Sequence, residues 1–132
     1  MISLLQLPKI VDNRGNLSFL ENKNQFPFDI KRVYLIYDVP GGEMRGGHGY
    51  KKLEEVIIAL SGSFDVHTDN GCGKKRIQHL NRSFEGLYIP GMNWRQLCHF
   101  STNSVALILA SRPYEASDYI HDYSEFINLA NE

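Results

Sequence analysis

The stretch Arg45-Gly46-Gly47-His48-Gly49-Tyr50-Lys51-Lys52-Leu53-Glu54-Glu55, continued by Val56-Ile57-Ile58-Ala59-Leu60, carries the reading on which the fold turns. Side chains of an extended chain alternate between faces with period two. His48, Tyr50, Lys52 and Glu54 then share one face, and Lys51, Leu53 and Glu55 take the other. The run from Val56 to Leu60 is apolar on both faces, so the strand passes from a polar row into a buried environment. Four polar groups at the mouth of a core are costly unless they pair or serve a ligand. A solvated strand face with a Lys52–Glu54 ion pair is the plainer alternative, and the pattern alone leaves both open.

Outward from this stretch, turn signals recur at short intervals: Asn13-Arg14-Gly15-Asn16, Pro40-Gly41-Gly42, Ser61-Gly62-Ser63, Asp69-Asn70-Gly71 and Pro90-Gly91. Between them lie runs rich in β-branched and aromatic residues, at Ile30 to Val39, Leu53 to Leu60, Phe64 to Thr68, Gly86 to Ile89 and Val105 to Leu109. Strand-sized runs with turns at this density predict an all-β sandwich or barrel and not βαβ units. Ser61-Gly62-Ser63 is expected to join two hydrogen-bonded strands as a tight hairpin. From Asp118 onward, Tyr119, Ile120, Tyr123, Phe126, Ile127 and Ala130 recur at helical spacing. They predict an amphipathic helix of about three turns, capped by Ser117 and packed on the sheet.

Bulk properties exclude several classes of function. The 132 residues suit one domain, residues 1 to 132, with one substantial core. Fourteen Lys and Arg against fifteen Asp and Glu leave a formal charge of -1, which gives no global attraction to nucleic acid or to an acidic membrane. No apolar run approaches the roughly 20 residues that span a bilayer. The N-terminal stretch has no basic n-region and makes a poor signal peptide. Cys72 and Cys98 lack CxxC spacing and are expected to be reduced thiols. These features point to a cytoplasmic protein.

The spacing of Gly42, His48, Tyr50, Glu54 and Gly62 resembles the first cupin motif, and Gly86 to Arg95 resembles the second, with its Pro-x-Gly turn. Metal-binding cupins take two His and a Glu from the first motif and a His from the second. Here Tyr50 stands at the second His and Arg95 at the last. Arginine stays protonated and has no lone pair to give a metal. His48 and Glu54 alone leave a divalent ion under-coordinated. No metal or other cofactor is therefore expected there, and a guanidinium is expected in its space.

The likeness extends over nearly the whole chain. Asp12 to Leu17, Pro27 to Tyr34, Arg45 to His48, Lys51 to Glu54 and Asp118 to Ile120 are similar to blocks of the bacterial sugar 3,4-ketoisomerases. The resemblance implies a cupin-type jelly roll with a short C-terminal helix, forming a homodimer, often with exchanged strands. It implies a metal-free reaction on dTDP-4-keto-6-deoxyglucose that supplies a 3-keto sugar for 3-amino-3,6-dideoxyhexoses of surface glycans such as lipopolysaccharide or S-layer glycan. On this reading His48 is the acid/base group, because its ordinary pKa lies near neutrality. Tyr50 donates to the keto oxygen, Arg95 stabilises the enediolate, and Glu54 orients Lys52. Arg14, Arg32 and Arg45 are candidates for the diphosphate, since guanidinium suits phosphate oxygens. Tyr37 and Trp94 are candidates for walling the sugar or stacking on thymine, with a core role the alternative for each. His67, His79, His99 and His121 receive no role.

One departure stands out. The family usually reads His-x-His before the double Lys, and this chain has Tyr50 at the second position. A phenol with an ordinary pKa near 10 is a poor base unless cations such as Lys52 or Arg95 favour its ionised form. The substitution leaves open an altered reaction or a non-catalytic nucleotide-sugar-binding cupin with a degenerate site.

Overall fold

Asn70 and Gly71 form the tip of a hairpin because Gly71 sits at φ +78°, where a Cβ would also strike Ala130 and Phe126. Turns of this kind cut the chain into short strands, and the computed structural model describes all 132 residues. The strands are β1 (Ser3–Gln6), β2 (Lys9–Ile10), β3 (Leu17–Ser18), β4 (Arg32–Tyr37), β5 (Arg45–Tyr50) and β6 (Glu55–Ser61). They continue as β7 (Phe64–Asp69), β8 (Lys75–Leu80), β9 (Glu85–Ile89), β10 (Trp94–Cys98), β11 (Val105–Ala110) and β12 (Tyr119–Ile120), followed by helix α1 (Tyr123–Ala130).

Two five-stranded antiparallel sheets face each other, one in the order β1-β9-β6-β11-β4 and the other β12-β5-β10-β7-β8, with β2 and β3 as a separate ribbon. Ile57, Ala59, Leu87 and Ile108 from the first sheet meet Phe64, Val66, Leu80 and Leu97 from the second in one buried cluster. Each fully buried aliphatic or aromatic side chain of this kind contributes about 1.5–3 kcal/mol. Val56, Ile58 and Leu109 point to the outer face of the first sheet, where Leu7, Phe26 and Phe28 cover them. The continuous apolar run of β6 is thus explained: its sheet is packed on both faces. This is the cupin-type jelly roll, with one short C-terminal helix.

Three expectations change. Ser61-Gly62-Ser63 does not close a hairpin of paired strands: β6 pairs with β9 and β11, β7 with β8 and β10, so the turn carries the chain from one sheet to the other. Ser63 and Ser101 exchange backbone and side-chain hydrogen bonds that hold this crossing in place. The helix begins at Tyr123 and is capped by Asp122, whose carboxylate accepts from the Glu125 amide at 3.2 Å. Tyr119 and Ile120 instead pair with Tyr50 and Gly49, because the free edge of β5 takes them as a strand.

The third change concerns the polar row itself. The chain is extended only to Tyr50, then turns a corner at Lys51 and Lys52 to leave the second sheet and enter the first. Asp118, buried, holds the corner with three acceptors. Its backbone carbonyl takes the Lys51 amide at 2.9 Å, and its carboxylate oxygens take the amides of Lys52 at 2.9 Å and Leu53 at 3.0 Å. The period-two count does not survive this bend. Lys52 ends exposed, and Glu55 rather than Glu54 faces the interior.

Candidate active site

At one end of the sandwich the interior becomes polar. Arg95 projects inward from β10 and is 1% exposed, so its charge has lost nearly all contact with water. Glu55, also 1% exposed, answers it from the opposite sheet, with Nε donating to Oε1 at 2.7 Å and Nη2 to Oε2 at 3.2 Å. Nη2 also donates to the Tyr34 hydroxyl at 2.9 Å, and Nη1 to the Gly46 carbonyl at 3.1 Å. Such a pair is tolerated inside a protein only when its remaining hydrogen-bonding groups are met in this way. Burial works against the guanidinium charge, but the Glu55 carboxylate outweighs it and holds Arg95 firmly protonated.

Gly46 is required for this arrangement. Its φ is +71°, and a Cβ there would lie 2.0 Å from Arg95 Nη1. The glycines of β5 therefore let the strand run against the guanidinium, and two residues on, His48 pairs in register with Arg95.

His48 and Tyr50 lie side by side on the inner face of β5, with ring centres 4.8 Å apart. Tyr119 closes over both, 5.1 Å from His48 and 4.7 Å from Tyr50, and His121 stacks on Tyr119 at 5.2 Å. The His48 Nε2 is buried and has no hydrogen-bond partner in the protein. Burial, then the charge of Arg95, then His121, pull the His48 pKa down to about 3, so the ring is neutral at any physiological pH. Tyr50 moves the other way. Burial first, and then the Glu55 carboxylate, push its pKa up, and the opposing pull of Arg95 is too small to reverse them. Tyr50 is thus a phenol that keeps its proton, as a donor to the keto oxygen requires, and Lys52 is not among the groups that act on it.

The structure brings together His48, Tyr50, Arg95 and Arg32 from the expected set. Arg32 stands at the rim, with Nη1 donating to the Tyr119 hydroxyl at 3.3 Å and its guanidinium carbon 4.6 Å above the Tyr34 ring. Tyr37 and Arg45 line a depression of about 440 Å³ between β4 and β5, but Tyr37 points outward with Val33 and Leu35. The other four lie elsewhere. Lys52 is exposed at the corner, and Glu54 accepts from the Tyr88 hydroxyl at 2.5 Å. Trp94 faces outward, because its neighbour Arg95 faces inward, and packs on Tyr123 at 5.4 Å and Phe126 at 5.8 Å to dock α1. Arg14 lies exposed in its turn, gripping Asp12 through Nε at 3.0 Å and Nη2 at 2.7 Å, which pulls the Asp12 carboxyl down to about 2.

Sequence reasoning missed Tyr34, Glu55, Tyr119 and His121. Tyr34 had a signal: Arg32, Tyr34 and Ile36 alternate with Val33, Leu35 and Tyr37 on β4, and the polar member of each set was ambiguous. Glu55 and Tyr119 had none, since their placement depends on the corner and on the late strand β12.

A family model described as FdtA, WxcM-like, C-terminal, matches residues 1–131. A protein of Aneurinibacillus thermoaerophilus named TDP-4-oxo-6-deoxy-alpha-D-glucose-3,4-oxoisomerase is 40% identical over 135 residues, covering 98% of this chain and 96% of that protein. The crystal structure of a 3,4-ketoisomerase from Helicobacter canadensis superposes with a TM-score of 0.95 at 39% identity, over 99% of this chain and 98% of that one. A mutant 3,4-ketoisomerase from Thermoanaerobacterium thermosaccharolyticum, solved in complex with TDP-4-keto-6-deoxyglucose, gives a TM-score of 0.95 at 38% identity, over 98% and 94%.

Proposed function

The chain belongs to the FdtA family, and we infer from this premise that it is a sugar 3,4-ketoisomerase, moving the ketone of dTDP-4-keto-6-deoxyglucose from C4 to C3. The observation that carries the mechanism is the neutral His48 ring, whose Nε2 is buried without a partner beside a protonated Tyr50 phenol. His48 takes the C3 proton, and the electron pair forms the C3–C4 double bond and places negative charge on O4. Tyr50 donates toward that oxygen and passes a proton between O3 and O4. Return of the proton from His48 to C4 leaves the ketone at C3. Arg95 acts as a positioning residue: its hydrogen bonds are spent on Glu55, Tyr34 and Gly46, and its fixed charge keeps His48 unprotonated. Arg32, at the rim, and Arg45, in the neighbouring depression, are assigned to the nucleotide diphosphate.

The names of the relatives favour this reading over a binding-only cupin. Its test is conversion of dTDP-4-keto-6-deoxyglucose in D2O with chelator present, followed by NMR. A 3-keto product supports the mechanism, with protium at C4 marking direct return of the C3 proton and deuterium its exchange on His48; bound substrate without turnover overturns it. We place the protein in the cytoplasm, as one domain serving 3-amino-3,6-dideoxyhexose and surface-glycan synthesis. Two free cysteines agree with a reducing compartment, and no helix is long and apolar enough to cross a membrane. We also assign a homodimer. β4 is an edge strand whose outward Val33, Leu35 and Tyr37 are 54%, 50% and 62% exposed, an apolar ladder that a second copy would cover. Leu35→Glu should yield monomers in sedimentation; an unchanged mass would place the contact elsewhere.

A further inference from the structure

The outward face of the second sheet, opposite the side that carries His48 and Arg95, holds a second group of chemically active side chains. Three neighbouring strands contribute. Asp65 on β7 opposes His79 on β8 to one side and Cys98 on β10 to the other. His67 lies two residues along β7 on the same face, and His99 follows Cys98 with a left-handed φ of 56°. One ligand atom from each of His67, Cys98 and His99 falls within 4.8 Å of the other two. Cys98 is 5% exposed, and its Sγ lies 3.5 Å from His99 Nδ1. The His67 Nε2 is buried and has no hydrogen-bond partner. A buried imidazole nitrogen left unmet carries a desolvation cost that a bound cation would offset.

We propose that His67, Cys98 and His99 form a binding site for a zinc-class divalent cation, with water in the fourth position. Two imidazoles and a thiolate are the mixed N/S donors that zinc takes in tetrahedral sites. Zinc–nitrogen bonds of about 2.0–2.1 Å and a zinc–sulfur bond of about 2.3 Å set the ligand atoms roughly 3.3–3.6 Å apart. The three atoms must therefore draw together by about 1 Å, and His99 has the freedom to do so, because its side chain is 73% exposed. The outer partner is already in place. The Asp65 carboxylate accepts from His99 Nδ1 at 2.8 Å and is itself held by His79 Nδ1 at 2.7 Å. With Nδ1 so held, His99 offers Nε2 to the ion, and a carboxylate behind a ligating histidine fixes its tautomer and raises its basicity. The site lies outside the machinery assigned to the isomerase, so its role is to tie β7 to the end of β10.

The test uses full-length protein without a histidine tag, stripped with chelator and dialysed. Equilibrium dialysis against zinc, read by elemental analysis, should give one ion per chain. Cobalt in its place should show a near-ultraviolet thiolate charge-transfer band and the visible bands of a tetrahedral ion. Cys98→Ser should abolish the charge-transfer band. His67→Asn and His99→Ala should each weaken binding at least tenfold, and Asp65→Asn about 10–100-fold. Cys72→Ser should change nothing. His99→Ala alters an exposed side chain, so loss of the fold cannot mimic its effect. Binding that survives Cys98→Ser and His99→Ala unchanged, or stoichiometry well below one, would overturn the site. Ketoisomerase turnover of the stripped protein should equal that of the loaded protein, so the two assignments stand or fall separately.

Discussion

Three strands pass from one end of the sandwich interior to the other, and each changes character within a single inward step of two residues. β6 goes from Glu55 to Ile57, β10 from Arg95 to Leu97, and β4 from Tyr34 to Ile36. At the far end Ile57, Phe64, Leu87, Leu97 and Ile108 are all fully buried in a common apolar cluster. At the near end a buried ion pair, two phenols and an imidazole occupy equivalent positions. One end gains stability from every group it hides from water. The other has to compensate each desolvated group with a partner, and it leaves two atoms, His48 Nε2 and Thr68 Oγ1, uncompensated.

The contrast can be broken most sharply at His48. His48→Asn should lower turnover about 10²–10⁴-fold, the range for loss of an acid/base group, while substrate affinity and the unfolding midpoint stay near the parent values. A rate within threefold of the parent would remove His48 from the mechanism.

Arg95→Met tests the cost of the polar end. It leaves Glu55 buried and unpaired, and should cost about 3–5 kcal/mol in denaturant unfolding. The double change Arg95→Met with Glu55→Leu should recover most of that stability and none of the activity. Leu97→Ala, one inward step away, should cost about 2–5 kcal/mol by the cavity it opens, with no such rescue from a second truncation. A double mutant as unstable as the single one would mean that the ion pair stabilises the fold on its own account.

Gly46→Ala sharpens the same comparison on a smaller scale. The left-handed backbone and the displaced guanidinium together should cost about 1–3 kcal/mol, readable as a lowered unfolding midpoint. Turnover should fall as well, because Arg95 and His48 share the strand pairing that Gly46 permits.

A last test of the enclosed end lies in pH. The folded His48 pKa of about 3 lies below the unfolded value near 6.5. Between these values the unfolded chain binds more protons than the folded one. His48 then contributes a stability that is complete above about pH 6.5 and is lost as pH falls toward 3. His48→Asn should flatten this slope in unfolding curves taken from pH 7 to 4. The kcat/KM profile of the parent should show no acid limb near 6.5; such a limb would mean that His48 is far less enclosed.

Most of the scaffold was legible in the sequence. The apolar runs, the frequent turns and the inward pairing of His48 with Tyr50 all follow from periods of two residues. Trp94 was offered for the site although the signal against it was present: it adjoins Arg95 on one strand, so the two cannot face the same side. What escaped were positions decided by residues far along the chain. Lys52 and Glu54 left the row because Asp118, 66 positions from Lys52, bends the strand there. Tyr119 was read as helix because its spacing fits one, while the unpaired edge of β5 claimed it as a strand. Arg95 does stand beside Tyr50, but burial and Glu55 outweigh its pull on the phenol, a balance that only the assembled interior decides.

The clamp at the corner also orders events in time. Residues 51 to 53 are translated long before residue 118, whose three acceptors hold their amides in the finished molecule. The apolar cluster draws its residues from positions 36 to 108, whereas His48 and Tyr50 need Asp118 as their anchor and Tyr119 as their lid. The reactive end therefore depends on chain beyond the residues that build the apolar one, and a truncation before residue 118 removes its anchor first.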